Sequence, residues 1–175
     1  MSDAVLYSTP IAREWIDYNG HLRDAYYALI VSLATDALME RLGMDEGYRQ
    51  RTRCTLYTLE MHVHFLREVK ATDIVQVAVR ILASDQKRIH AAFELRCAPR
   101  PDPVAGAELM LLHVMQGETP AAAPFPAAVV AALLEFTRGA AADAGHAPAA
   151  GSGAARIPGS RRIELPRRAQ SPLRP

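Results

Sequence analysis

Between Asp24 and Leu42 the chain carries a helical repeat with apolar side chains on almost every face. Ala25, Leu29, Leu33 and Ala37 form one row, and Tyr26, Ile30, Val31, Ala34 and Leu38 crowd most of the remaining circumference. A helix with so little wet surface predicts enclosure by other structure, so the rest of the chain has to wrap around it. Gly43 directly after it is the expected C-terminal stop.

The wrapping material follows in the sequence. Met44 to Arg53 reads as a solvated connection with room for one helical turn, after which the period changes from 3.6 to two. Tyr57, Leu59, Met61, Val63 and Phe65 alternate with polar residues; Val75 to Ile81 and Ile89 to Cys97 do the same, joined by a tight turn at Ser84 to Lys87. Ala107 to Met115 is too continuously apolar for a half-exposed strand and is expected to lie centrally. Val5 to Ala12 is a short first strand, Pro99 to Pro103 is a loop, and Ala127 to about Arg138 is a final helix burying Val130, Leu133, Leu134 and Phe136. Strand, long helix and consecutive antiparallel strands segregate along the chain, which predicts α+β: a curved antiparallel sheet around one central helix, with an open edge that favours dimerisation.

A chain of 175 residues that is 50% hydrophobic supports one core, placed in a domain over 1–139. Residues 140–175 turn to Ala, Gly, Pro, Ser and Arg and are read as a tail without fixed structure. Six arginines against Glu164 in residues 144–175 leave the first 143 with 14 basic and 18 acidic side chains, which gives no nucleic-acid footprint. Cys54 and Cys97 are too few for a disulfide framework, no apolar run reaches the roughly 18 residues of a membrane span, and no signal-like segment opens the sequence. The expectation is a soluble cytoplasmic protein.

The chemistry is expected just ahead of the helix, in the stretch WIDYNGHLRDAYY from Trp15 to Tyr27. Asp17 lies in a turn with Asn19 and Gly20, and a carboxylate beside a helix N-terminus meets unpartnered N–H groups and a favourable dipole. Asp-x-Asn-Gly is also an ordinary helix-entry turn, so on the residues alone a capping role competes with a catalytic one.

The motif DYNGHLRDAYY resembles hot-dog-fold thioesterases of the 4-hydroxybenzoyl-CoA thioesterase type over roughly Val5 to Pro126. More narrowly, EWIDYNGHLRDAYYALIVSLATDALMERLG with YTLEMHVHFL, REVK, DQKRIH and ELMLLHV is similar to the betainyl-CoA thioesterases of carnitine breakdown. The resemblance implies hydrolysis of a short acyl-CoA thioester, most narrowly betainyl-CoA, without metal or cofactor. It implies a homodimer or tetramer with the active site at the subunit interface; the charge and hydropathy of the chain point to no nucleic acid and no membrane. The resemblance places the catalytic carboxylate on Asp17 and the carbonyl-polarising backbone N–H on Asp24, with Ser32 where the hydroxybenzoyl enzyme has a second acid.

On those roles Asp17 attacks the thioester or activates water, and the Asp24 N–H supports the oxyanion. Asn19 and His21 hydrogen-bond Asp17 or line the pocket; His21 is equally a local cap. Trp15, Tyr18, Tyr26 and Tyr27, dense in a chain with 6% aromatic residues, suit a quaternary ammonium, though tyrosines on an enclosed helix are ordinarily core. Glu60 is a substrate contact or a solvated charge, and Lys87 and Arg88 are CoA-phosphate contacts or a solvated turn. His62 and His64 share a strand face, with His90 and His113 as possible neighbours; without a matching Cys or carboxylate spacing, no metal site is expected. Other short or hydroxylated acyl-CoA esters, or acyl-CoA binding without turnover, are the competing functions.

Overall fold

A computed structural model describes residues 5–100 and 102–143, without the side chains of 140–143. The elements in order are β1 (Val5–Pro10), a 3-10 turn (Arg13–Trp15), α1 (Asp24–Arg41), α2 (Glu46–Thr52), β2 (Cys54–Phe65), β3 (Ile74–Ser84), β4 (Arg88–Ala98), β5 (Pro103–Met115), β6 (Ala121–Ala122) and α3 (Ala127–Asp143). The strands form one antiparallel sheet in the order β1-β3-β4-β5-β2, with β6 added on β5. Of the proline-rich segment after β4, Pro99, Arg100 and Asp102 lie outside the strands as expected, and Pro103 already begins β5.

The core lies between this sheet and α1. Val75, Val77, Phe93, Leu95, Leu109 and Leu111 point from the sheet onto Ile30, Val31, Ala34 and Leu38, all fully or almost fully buried. Each large side chain so enclosed contributes about 1.5–3 kcal/mol. β5, hydrogen-bonded on both sides, is the most enclosed strand, as its continuous apolar run predicts. α1 ends where Gly43 adopts a left-handed φ of 78°, a conformation that suits glycine. The connection after it holds more helix than one turn: Asp45 caps α2 by accepting the Tyr48 N–H at 2.7 Å. Cys54 and Cys97 are buried free thiols.

Three expectations from periodicity need correction. α1 is enclosed on one face only, because a single sheet covers one side of a helix: Tyr27, Ile30, Val31, Ala34 and Leu38 are buried, while Ala25 and Leu29 are exposed. β2 carries a bulge between Thr58 and Glu60, so Tyr57 pairs with Leu112 on the outer face while Met61, Val63 and Phe65 lie on the side of α1. In α3 the buried stripe is Val129 and Leu133, with Phe136 partly covered, whereas Val130 and Leu134 are exposed. A helix apolar on both flanks does not reveal by period which flank turns inward. α3 also runs past Arg138 to Asp143, beyond the expected domain limit; the tail over 144–175 lies outside the described residues.

Candidate active site

The segment from Trp15 to Arg23 folds back on itself as a miniature antiparallel ladder. The Arg23 N–H bonds the Trp15 carbonyl at 3.0 Å, Ile16 pairs with Leu22, and the Asp17 N–H bonds the His21 carbonyl at 2.8 Å. Gly20, at a φ of 84°, closes the turn and donates its N–H to the Asp17 carbonyl. The ladder docks on the segment after β2, with the Leu22 N–H on the Val69 carbonyl at 2.8 Å and a bridge between His21 and Lys70. Local turn chemistry thus fixes the acid, and the docked loop fixes where α1 begins.

Asp17 uses one carboxylate oxygen to hold this turn: Oδ1 accepts the N–H groups of Asn19 at 2.8 Å and His21 at 3.0 Å. Oδ2 has no hydrogen-bond partner among the described residues. The His21 N–H holds the Asp17 carboxyl below its ordinary 3.8; desolvation, the next influence in size, opposes it, and the Asn19 N–H and the nearby charges of His21 and Arg23 add to the lowering. The acid is therefore ionised at neutral pH, with one lone-pair face open. Seven residues later Asp24 starts α1; its side chain accepts the Ala25 N–H at 2.8 Å, and the N-cap Arg23 makes no side-chain cap. The Asp24 N–H has no hydrogen-bond partner among the described residues, the state required of an oxyanion donor.

A cavity of about 330 Å³ opens beside this helix start, lined by His21, Leu22, Asp24 and Tyr27 on one side and by Phe65, Leu66, Arg67 and Glu68 on the other. That is the lower end of small-ligand pockets, roughly 300–1,000 Å³. The Tyr27 and Phe65 rings meet edge to face, centroids 5.1 Å apart at 80°. Burial pushes the Tyr27 hydroxyl up to about 12, so it stays protonated; it donates a long bond of 3.5 Å to the Arg67 carbonyl. His21 Nε2 lies 3.0 Å from Glu68, joining the two walls. The Arg67 guanidinium turns to Asp102 at 3.0 Å and the Pro103 carbonyl at 2.9 Å.

Asp17, Asn19, Gly20 and His21 share the turn, and His21, Asp24 and Tyr27 line the cavity, whose lining does not include Asp17, Asn19 or Gly20. The structure does not bring the four aromatic residues together: Trp15 and Tyr26 stack on each other at 5.3 Å and 15°, and Tyr18 is 93% exposed. Glu60 is exposed on the outer face of β2, opposite Met110 and away from α1. Lys87 and Arg88 sit in the β3–β4 hairpin, at the other end of the sheet from the loop, with the Arg88 guanidinium held by Asp85. Leu22, Phe65, Leu66, Arg67 and Glu68 are the cavity residues that sequence reasoning assigned no site role. Phe65 stood in the strand alternation and Glu68 inside REVK, and nothing in their spacing marks a shared wall with Tyr27 and His21.

The histidines divide between the faces of the sheet. His62 and His64 lie on the outer face, where His90 reaches Glu108 at 3.4 Å. His113 is instead buried on the inner side, with Nε2 2.8 Å from the Tyr48 hydroxyl and Nδ1 2.9 Å from the Ala123 carbonyl. Among the described residues no three His, Cys, Asp or Glu side chains are grouped to hold a metal ion. None of the described helices is long and apolar enough to cross a membrane.

The family profile described as "Thioesterase-like superfamily" matches residues 12–133. A betainyl-CoA thioesterase of Pseudomonas aeruginosa is 45% identical over 135 residues, 75% of this chain and 84% of that protein. An L-carnitine dehydrogenase/betainyl-CoA thioesterase of Rhizobium meliloti is 34% identical over 77% of this chain, which spans 27% of that protein. Among solved structures, one from Pseudomonas putida KT2440 with a provisional thioesterase assignment superposes with a TM-score of 0.72 at 37% identity, covering 95% of this chain and 99% of that one. A Staphylococcus aureus protein solved in complex with CoA gives a TM-score of 0.72 at 25% identity, covering 79% and 87%. With the ionised Asp17, the open start of α1 and the sheet curled around it, these matches make the chain a hot-dog-fold member of the thioesterase-like superfamily.

Proposed function

We propose that the protein hydrolyses betainyl-CoA to betaine and CoA. The observation that carries this reading is the half-satisfied carboxylate of Asp17, with Oδ2 open, in the loop that leads into an uncapped helix start and a small cavity. The acyl group is taken from the 45% identical Pseudomonas aeruginosa enzyme.

Asp17 Oδ2 adds to the thioester carbon to give a mixed anhydride that water then opens, or takes a proton from the water that adds; either route expels the CoA thiolate. The carbonyl oxygen gains negative charge as the tetrahedral centre forms, and the Asp24 N–H, aided by the dipole of α1, receives it. One such donor lowers the barrier by about 3 kcal/mol. Thiolate leaves without a strong general acid, and the scheme requires neither metal nor cofactor.

The working unit in this reading is a cytoplasmic homodimer joined at β2, the edge strand on which Tyr57 and Leu59 are exposed. The partner's β3–β4 hairpin then supplies Lys87 and Arg88 to the CoA phosphates. The test is free-thiol release from a panel of CoA esters, with sedimentation for the assembly. Betainyl-CoA is expected to be turned over by the native protein and not by Asp17→Asn. Binding without turnover in the native protein would make it an acyl-CoA-binding module, and a monomer active at all concentrations would overturn the shared site.

A further inference from the structure

The acyl group of betainyl-CoA places a quaternary ammonium one methylene from the carbonyl carbon. With the carbonyl oxygen on the Asp24 N–H, the ammonium falls among the side chains that line the cavity. Tyr27 and Asp24 line it on one side and Phe65 and Glu68 on the other. Resting on the reading above, we propose that Phe65 and Glu68 determine specificity for the cationic acyl group: the Tyr27–Phe65 corner packs its methyl groups and Glu68 balances its charge.

Two perpendicular rings with centroids 5.1 Å apart present a concave corner of electron-rich surface, the arrangement that attracts an alkylammonium within about 6 Å of a ring centroid. Tyr27 is fixed in the core, whereas Phe65 is 55% exposed and keeps surface for a ligand. The charges have the matching sign. Asp24 and Glu68 line the cavity, and its one arginine, Arg67, commits its guanidinium to Asp102 and the Pro103 carbonyl. Glu68 is held at the cavity by His21 through a single nitrogen at 3.0 Å, which leaves its outer lone pairs for a cation. The stacked Trp15–Tyr26 pair is not part of this cavity's lining.

The test compares betainyl-CoA with 3,3-dimethylbutyryl-CoA, in which carbon replaces the nitrogen and the shape is kept. The native protein is expected to favour betainyl-CoA in kcat/KM by roughly tenfold or more, the order of a desolvated cation–π contact. Glu68→Gln and Phe65→Leu, both at exposed positions, are each expected to shrink that ratio by roughly three- to tenfold, mainly through KM for betainyl-CoA. Variants that keep the native ratio, or that lose both esters in equal proportion, overturn this assignment while leaving betainyl-CoA as substrate. Equal native rates on the two esters overturn ammonium recognition altogether. A native protein that hydrolyses neither ester overturns the proposed function itself.

Discussion

The two ends of β5 border polar groups in opposite states of saturation. At its C-terminal end, His113 engages Tyr48 through one ring nitrogen and the Ala123 carbonyl through the other, and is 1% exposed. At its N-terminal end, next to Arg67 and Val104, the docked loop leaves one oxygen of Asp17 and the first N–H of α1 unused. A polar group with every hydrogen bond supplied by its own chain is scaffold, because a ligand has nothing to add to it. An acid and a donor each left half-used can act on a substrate, and the loop that holds them still retains its own hydrogen bonds.

The sharpest way to break this contrast is Asp17→Asn. The amide oxygen keeps both turn bonds, so folding and CoA-ester binding are expected to persist while thioester turnover falls by about 100-fold or more, measured as thiol release. Turnover close to native would move the chemistry to another residue. His113→Ala attacks the other end. It removes a buried ring and strands the Tyr48 hydroxyl and the Ala123 carbonyl, for a loss of about 3 kcal/mol in urea denaturation with little change in kcat per folded molecule. A parallel fall in kcat would show the two ends coupled. Tyr48→Phe takes only the hydroxyl from the same cluster and is expected to cost about 1 kcal/mol; a neutral result would mean that the His113 contact adds nothing beyond packing.

The contrast also separates what was legible in the sequence from what was not. The helix, the strands along the chain and the placement of Asp17 before Asp24 follow from periods and turn chemistry, which act over a few residues: Gly20 and Gly43 stand where left-handed backbone is required. The sheet order does not, because β2 pairs with β5 and not with β3, the next strand in the chain. The bulge near Thr58 was hidden, because one inserted residue reverses the faces of a strand without disturbing its composition. His113 was grouped with His62, His64 and His90 as a possible neighbour for want of its partner, 65 positions away in Tyr48. The cavity wall was hidden for the same reason. Glu68 meets His21 and Phe65 meets Tyr27 only after the loop docks on the end of β2, and local spacing carries no trace of such a contact. The aromatic density around the motif was real but divided, since Trp15 and Tyr26 satisfy each other and Tyr18 faces solvent.

The smallest expected effect concerns the protonation of Asp17. The N–H groups of His21 and Asn19 favour its ionised form, so its folded pKa lies below the ordinary 3.8. A depressed acid adds stability that is fully present above its unfolded value and disappears as the pH falls through the folded one. The native protein is therefore expected to lose slightly more of its urea midpoint between pH 6 and about pH 3 than Asp17→Asn, in which residue 17 cannot titrate. Equal losses would mean that these N–H bonds hold the turn without favouring the charge. The same depressed value requires that Asp17 impose no acid limb on kcat/KM above 3.8. Because Tyr27 stays protonated up to about 12, its ionisation adds no limb near neutrality either. A limb appearing near pH 6 would assign the proton-transfer step to a group other than Asp17, and the open oxygen at this end of β5 would then be as structural as the saturated histidine at the other.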